Sequence, residues 1–204
     1  MTLSSPARRS SPTRLHATGD LAGKVALAAV VMAAMAASLA VEPSVVGLLA
    51  AALVPVLAAI AVIDGRHFII PDSLNALGLL LGLAAAATAP EPEPVDGVIS
   101  AFLGGAGLAI MFLAIRLGYR ALRGRDGLGL GDVKLAAVAG VWLSVTAMPV
   151  AVETAALAGL MAYGIRRLTT GRAVRVRDRL PFGLFFAPAI WIGWLFDRWI
   201  VGLM

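Results

Sequence analysis

The sequence predicts an all-α, polytopic membrane protein with about seven transmembrane helices, because a helix needs about 20 residues to cross a bilayer. Hydrophobic residues occupy 60% of the 204 positions and charged residues only 14%. The mean hydropathy is +0.90. These values exclude an ordinary soluble domain. Apolar runs of spanning length recur along the chain, which leaves no room for a separate soluble domain of any size.

The cysteine and histidine content limits the chemistry. The chain contains no cysteine and two histidines, which excludes a disulfide framework, a thiolate zinc site and a cysteine nucleophile. We therefore expect no metal site, no cofactor and no redox chemistry. We also expect no nucleic-acid partner, and the oligomeric state stays open.

The amino-terminal residues, 1–24, are polar and rich in Ser, Pro and Arg, a composition that buries too little apolar area to fold by itself. We predict a disordered, basic cytoplasmic tail followed by one membrane-embedded domain at 25–204. The first apolar run is just long enough to span, but Ser38-Leu39-Ala40 within it resembles a signal-peptide cleavage site. Whether this first span is retained stays open at this stage.

Six further apolar runs follow, separated by proline, glycine or charged residues. Pro149 predicts a turn between the fifth and sixth spans, and the alternating prolines of 90–94 predict an exposed, stiff connection. Gly104, Gly105 and Gly107 offer a small-residue face for close helix packing. The predicted spans are 25–41, 45–63, 73–89, 97–115, 132–148, 150–165 and 184–201.

The distribution of charge predicts the topology, because cytoplasmic connections retain Lys and Arg. Of the 17 basic residues, 16 lie on the tail, on the predicted loop 64–72 and on the connections 116–134 and 166–179, and only Arg198 lies elsewhere. The opposite connections carry acidic residues and no Lys or Arg. Those acidic residues are Glu42, Glu91, Glu93 and Asp96. The amino terminus, Asp64 and Asp132 are thus expected on the cytoplasmic side of the membrane.

Two aspartates lie at span ends on the predicted cytoplasmic side. Asp64 ends the second span, and Asp132 opens the fifth after Gly127, Gly129 and Gly131. If the two carboxyl groups meet, they cannot both ionise cheaply, so the pair holds one proton. The ionised member can then activate water while the protonated member polarises a scissile carbonyl, which is the logic of an aspartic peptidase.

Other interpretations fit the same residues. Asp132 belongs to a residue type favoured at helix N-caps, and Asp64 can simply mark where a span ends. The alternative function is a small transporter or channel subunit whose carboxylates relay protons. That function predicts acids near the middle of the membrane and often inverted repeats, whereas both acids lie at span ends. A purely structural subunit of a secretion system is a third interpretation.

Three segments, taken in order, resemble the hallmark segments of the type IV prepilin peptidases. Asp64 is followed seven and eight residues later by Pro71-Asp72. Gly129-Leu-Gly-Asp132-Val-Lys134 is similar to the GxGD element, and Leu180-Pro-Phe-Gly183 precedes the last span. The resemblance covers roughly residues 45–200. GxGD alone is a weak signal, but the three segments together are a strong one.

The resemblance implies an inner-membrane GxGD aspartyl endopeptidase with a six-helix core plus one helix, acting at the cytoplasmic face on prepilins or pseudopilins. Asp64 and Asp132 match the catalytic pair. Other residues of the three segments are candidates for lining the site. These are Asp72, Gly129, Gly131, Lys134, Pro181, Phe182 and Gly183.

Several of these residues have simpler explanations, and the chain departs from the family in two places. Asp72 fits a helix N-cap, and Lys134 fits a positive-inside anchor. The paired-cysteine insert linked to methylation in many members has no counterpart here, so we predict no methyltransferase activity. Leu184 stands where the family has proline.

Helix dipoles and basic connections give two further expectations. Asp132 starts a helix, where the macrodipole favours an anion, and Asp64 ends one, where it does not. We therefore predict Asp132 as the ionised base and Asp64 as the proton holder. Because prepilin leaders are themselves basic, we assign the arginines of 116–125 and 166–179 to contact with anionic membrane lipids.

Overall fold

Each of the seven apolar runs is a helix in the computed structural model. The structure describes residues 13–88, 94–170 and 181–201, and every regular element within these ranges is α-helical. This confirms the all-α prediction. The helices are α1 (Thr13–Val41), α2 (Val45–His67), α3 (Asp72–Thr88), α4 (Pro94–Arg123), α5 (Leu130–Trp142), α6 (Ala147–Thr170) and α7 (Phe182–Val201).

Four stretches within the described helices are long and apolar enough to cross a membrane. They are Leu21–Val41, Val45–His67, Val95–Arg123 and Ala147–Thr169. The helix Asp72–Thr88 is apolar but shorter. The chain is therefore a polytopic, all-α membrane protein.

Successive helices run in opposite directions, so the bundle has two ends. The end of α2 with Asp64 lies beside the starts of α5 and α7, at Asp132 and Phe182. At the other end, the start of α2 lies beside Trp142 of α5 and Asp197 of α7. We call these the Asp64 end and the Asp197 end.

Helix α5 lies at the centre of the bundle, although it is short. It packs against α3, α4 and α7, and Leu135, Ala136, Val138 and Ala139 are fully buried. Its alanines and Gly140 keep the helix narrow enough for neighbours to approach closely. The first turns of α5, which carry Asp132, are therefore fixed in place by packing in the core.

Helix ends differ from the predicted span ends. Helix α2 continues to His67, so the loop beyond it is 68–71 rather than 64–72. Helix α4 continues through the predicted basic connection as far as Arg123, and α5 ends at Trp142 rather than near 148. Pro149 lies in the first turn of α6, where proline is tolerated, so the predicted turn there is wrong. Hydropathy marks where a bilayer would end, whereas backbone hydrogen bonding decides where a helix ends.

The amino-terminal region also differs from the prediction. Helix α1 begins at Thr13, within the segment predicted to be disordered, whereas 1–12 lie outside the described residues. A helix propagates easily once nucleated by the apolar run that follows. Ser38, from the candidate cleavage site, is fully buried, and Trp191 Nε1 of α7 donates a hydrogen bond to its Oγ at 2.9 Å.

Two predicted connections fall largely outside the described residues. The proline-rich connection is described only from Pro94, where α4 begins. The basic connection 166–179 is helical as far as Thr170, and 171–180 are not described.

The predicted glycine face of α4 is confirmed for two of its three members. A Cβ atom on Gly104 would lie 2.5 Å from the carbonyl oxygen of Gly140, and one on Gly105 would lie 2.7 Å from Val141 Cγ2. Gly107 has no such neighbour within 4 Å. Gly104 and Gly105 therefore allow the backbones of α4 and α5 to approach closely.

Gly104→Ala should lower the free energy of unfolding by about 1–3 kcal/mol, because its methyl group forces the two backbones apart. Gly107→Ala is the matched control and should leave stability unchanged or raise it by up to about 1 kcal/mol through better helix propensity. Thermal unfolding in detergent measures both. Equal stability of the two variants would contradict the observed packing of α4 on α5.

Candidate functional site

Asp64 and Asp132 line the same two cavities at the Asp64 end. The larger has a volume of about 310 Å³ and the smaller about 240 Å³, and both aspartates line each. The Asp64 carboxyl also repels the carboxylate of Asp132 electrostatically. The structure therefore brings together two acids that lie on different helices and are far apart in sequence.

Asp64 is held by the start of α7. The residue is only 5% exposed, and its Oδ2 accepts a hydrogen bond from the Leu184 N–H at 3.0 Å. A Cβ atom on Gly183 would lie 2.9 Å from the same oxygen. Leu184 can make this contact because it has a backbone N–H, which proline lacks.

Asp132 is held by the loop that precedes α5. Its Oδ2 accepts a hydrogen bond from the Gly129 N–H at 3.0 Å. Gly129 is the N-cap of α5, so Asp132 is the third residue of the helix and forms one half of a capping box. The N-cap interpretation is thus wrong in position, although Asp132 does cap the helix. It does so while lining both cavities.

This geometry removes the premise for assigning different roles to the two acids. Asp64 lies in the last turn of α2, but it also lies against the first turn of α7, where a helix dipole favours an anion. Asp132 lies in the first turn of α5. Each carboxyl group therefore receives a backbone N–H from the start of a helix.

Asp72 and Lys134 form an ion pair beside the two acids. Lys134 Nζ lies 2.6 Å from Asp72 Oδ1, which joins the start of α3 to the first turns of α5. Asp72 also lines the smaller cavity. The sequence singled out both residues, but their pairing could not be predicted because it depends on how α3 packs against α5.

The glycine and aromatic candidates shape the walls of the cavities. Ile70 lies between two of the glycines, since a Cβ on Gly131 would be 3.0 Å from its Cβ and one on Gly183 would be 2.8 Å from its Cδ1. Pro181 and Phe182 line the larger cavity, and Gly129 lines both. The Phe182 ring lies 5.1 Å from that of Phe186.

Arg116 is a residue of the site that sequence reasoning missed. Its side chain is 12% exposed, it lines the larger cavity, and its Nη2 lies 3.0 Å from Asp126 Oδ2. Its Nη1 also donates to the carbonyl oxygen of Leu128. The assignment of Arg116 to lipid contact is therefore wrong, because its guanidinium is engaged within the protein. The sequence carried no signal for this contact, because an arginine at the end of an apolar run usually extends to the membrane interface.

A third cavity, of about 440 Å³, lies at the Asp197 end and is also lined by two aspartates, Asp96 and Asp197. Asp197 accepts hydrogen bonds from the Ser144 hydroxyl at 2.7 Å and the Ser144 N–H at 3.2 Å, which anchors the chain before α6. Arg198 pairs with Glu42 at 3.5 Å. These contacts give Asp197 a structural role, so the Asp64 end is the candidate site. In the part of the chain that the structure describes, no group of three His, Asp or Glu side chains could hold a metal ion.

Comparison with known proteins bears directly on this site. The sequence model of the type IV leader peptidase family matches residues 51–164, which include Asp64 and Asp132 but not Gly183. A prepilin leader peptidase/N-methyltransferase of Dichelobacter nodosus is 32% identical over 144 residues, covering 71% of this chain and 47% of the relative. Its counterpart in Burkholderia pseudomallei strain 1026b is 37% identical over 145 residues, covering 71% of this chain and 45% of the relative.

A shorter relative aligns over most of its length. The leader peptidase HopD of Escherichia coli is 33% identical over 132 residues, covering 64% of this chain and 82% of HopD. The chain thus spans most of HopD but about half the length of the two bifunctional relatives. No solved structure matches significantly.

Breaking the Asp72–Lys134 pair should change stability little, because the two side chains are 74% and 48% exposed. Asp72→Asn or Lys134→Gln should each lower the free energy of unfolding by less than about 1 kcal/mol, and the double variant by no more than the larger single effect. Arg123→Gln, at an exposed position of α4, controls for the loss of a positive charge. A loss of about 3 kcal/mol or more in chemical denaturation would show instead that the pair is buried and structural.

Proposed function

Because the chain belongs to the type IV leader peptidase family, we propose that it is a membrane aspartic endopeptidase that removes leader peptides from type IV prepilins or pseudopilins. The observation that carries the proposal is that Asp64 and Asp132 line the same cavity. Both residues lie in the segment that the family model matches. Peptidase activity is the part proposed, since the alignment spans 47% of the Dichelobacter relative and the chain has no cysteine insert.

The reaction follows from two carboxyl groups that hold one proton. The ionised acid takes a proton from water, and the resulting hydroxide attacks the carbonyl carbon of the scissile peptide while the protonated acid gives its proton to the carbonyl oxygen. The tetrahedral intermediate then collapses. One of its hydroxyl protons returns to the acid that was protonated at the start, and the acid that took the proton from water gives it to the leaving nitrogen as the C–N bond breaks. The pair ends with one proton, as it began.

Backbone hydrogen bonds fix the two acids for this chemistry. The Leu184 N–H holds Asp64 and the Gly129 N–H holds Asp132, each at 3.0 Å. Groups held this way need little reorganisation as charge develops. Since each acid accepts an N–H from the start of a helix, the dipoles of α5 and α7 do not select which one carries the proton, and the pair titrates as a unit.

We propose seven spans, with the Asp64 end at the cytoplasmic face of the bacterial inner membrane. The alternating directions of the seven described helices and the 16 basic residues on one side of the predicted topology support this orientation. A substrate whose apolar helix lies in the bilayer and whose leader lies in the cytoplasm then presents its scissile bond level with both acids. Apart from Arg116, the basic residues of 120–125 and 166–179 are proposed to contact anionic lipids.

Asp64→Asn and Asp132→Asn should each lower kcat for cleavage of a model prepilin by about 10²–10⁴-fold or more, because each removes one partner of the acid–base pair. Asp197→Asn is the matched control, an aspartate with a structural role at the other end of the bundle, and should retain activity. Cleavage by purified protein in detergent or liposomes is measured by the mass of the products.

Two outcomes would overturn the proposal. Full activity of either Asp64→Asn or Asp132→Asn would exclude a catalytic pair. Proton flux through liposomes without cleavage, lost in the same two variants, would favour the alternative of a proton-relaying transporter or channel subunit.

Gly183→Ala should lower kcat by about 10²-fold, because its methyl group would displace the Asp64 carboxyl by a fraction of an ångström to about 1 Å. The added Cβ would lie 2.9 Å from Asp64 Oδ2, whereas a Cβ on Gly164 of α6 has nothing within 4 Å. Gly164→Ala is therefore the control and should cleave at the wild-type rate. Equal rates for the two variants would show that the start of α7 does not position Asp64.

A further inference from the structure

We propose that Arg116 is a positioning residue for Asp132, acting through the peptide bond between Leu128 and Gly129. This inference rests on the proposed function, since it concerns the same carboxyl pair. It assigns to the last turns of α4 a role that the motifs containing the two acids do not reveal.

The location of Arg116 requires a partner within the protein. It lies on α4 between Ile115 and Leu117, which are 55% and 53% exposed and face outward. Its own side chain is 12% exposed. A guanidinium in such a helix is costly unless it is paired and hydrogen-bonded. Arg116 is therefore turned into the protein, towards the loop that precedes α5.

Arg116 binds this loop at two points. Its Nη2 pairs with Asp126 Oδ2 at 3.0 Å, and its Nη1 donates to the carbonyl oxygen of Leu128. Tyr119, one turn further along α4, packs against Gly127, where a Cβ atom would lie 2.5 Å from the ring. The loop 126–128 is thus held against one face of α4.

The link from Arg116 to the acid is a single peptide unit. The carbonyl of Leu128 and the N–H of Gly129 belong to the same planar group and point in opposite directions. The carbonyl accepts from Arg116, and the N–H donates to Asp132 Oδ2 at 3.0 Å. The guanidinium therefore both orients this peptide and polarises its N–H, which strengthens the hydrogen bond to the carboxylate.

Arg116 also acts on Asp132 through its charge. It attracts the Asp132 carboxylate directly, whereas Asp64 from α2 repels it. Asp126 from the loop faces the same cavity, and the uncharged Phe182 of α7 and Pro181, directly before it, also line this cavity. On the side of α3, Asp72 faces the smaller cavity, paired with Lys134 of α5. Among the described residues that line the larger cavity, Arg116 is thus the cation that faces the carboxyl pair.

Kinetics of Arg116→Gln and Arg116→Lys separate the charge of the residue from its geometry. Arg116→Gln should lower kcat about 10²-fold with KM within about twofold, because the peptide that holds Asp132 loses its anchor. The acidic limb of its pH–rate profile, where activity falls as the pH is lowered, should move to higher pH. The reason is that the carboxyl pair has lost the cation that favours its ionised form. Arg116→Lys should keep the acidic limb in place but recover kcat only in part, since an ammonium cannot bind both Asp126 and Leu128.

Arg123→Gln is the control, removing a charge from an exposed position of the same helix, and should match the wild type in rate and pH profile. Wild-type kcat in Arg116→Gln would overturn the proposal. So would a reduced rate that follows the folded fraction with an unchanged acidic limb, because a merely structural role predicts that pattern.

Infrared difference spectra make the test independent of cleavage. The carboxyl band assigned to Asp132 by its loss in Asp132→Asn should shift in Arg116→Gln and not in Arg123→Gln. An unshifted band would overturn the positioning role whether or not the protein cleaves. If the band shifts in Arg116→Gln but the wild-type protein cleaves no prepilin, the positioning role is preserved and the proposed function is rejected.

Discussion

Two backbone N–H groups, one from Leu184 and one from Gly129, hold the carboxyl groups of Asp64 and Asp132 at one end of the bundle. The first requires the start of α7 to lie directly against the end of α2, which a residue larger than Gly183 would prevent. The second requires the loop before α5 to stay in place. The packing of α2, α5 and α7 serves these two contacts, and the cavities exist because the helices meet there through glycines and Ile70.

The order and number of helices in the described residues could be predicted from hydropathy and punctuation by proline and glycine. The two acids could also be selected, because Asp64 and Asp132 lie at the ends of apolar runs on the side that retains Lys and Arg. The spacing of the three segments then pointed to the peptidase family, and the family match and the relatives confirm that membership.

Partners across the bundle could not be predicted. Lys134 and Asp72 are 62 residues apart, and their contact depends on the rotation of α3 against α5. The contact of Asp64 with α7 joins residues 120 positions apart. The dipole argument considered α2 alone and therefore left out the dipole of α7. Arg116 was misassigned for a related reason, because the helix was expected to end where the apolar run ended, whereas α4 continues to Arg123 and turns that side chain inward.

The central claim is that Asp64 and Asp132 are neighbours, and cross-linking between engineered thiols tests it most directly. The chain has no cysteine, so Asp64→Cys with Asp132→Cys introduces the only two thiols. A short bifunctional thiol reagent applied to native membranes should link this pair within one chain, as detected by peptide mass. It should leave Asp64→Cys with Asp197→Cys unlinked, because the helix rise separates these positions by about 20 Å along α7. A first pair that stays as unlinked as the second would contradict the account.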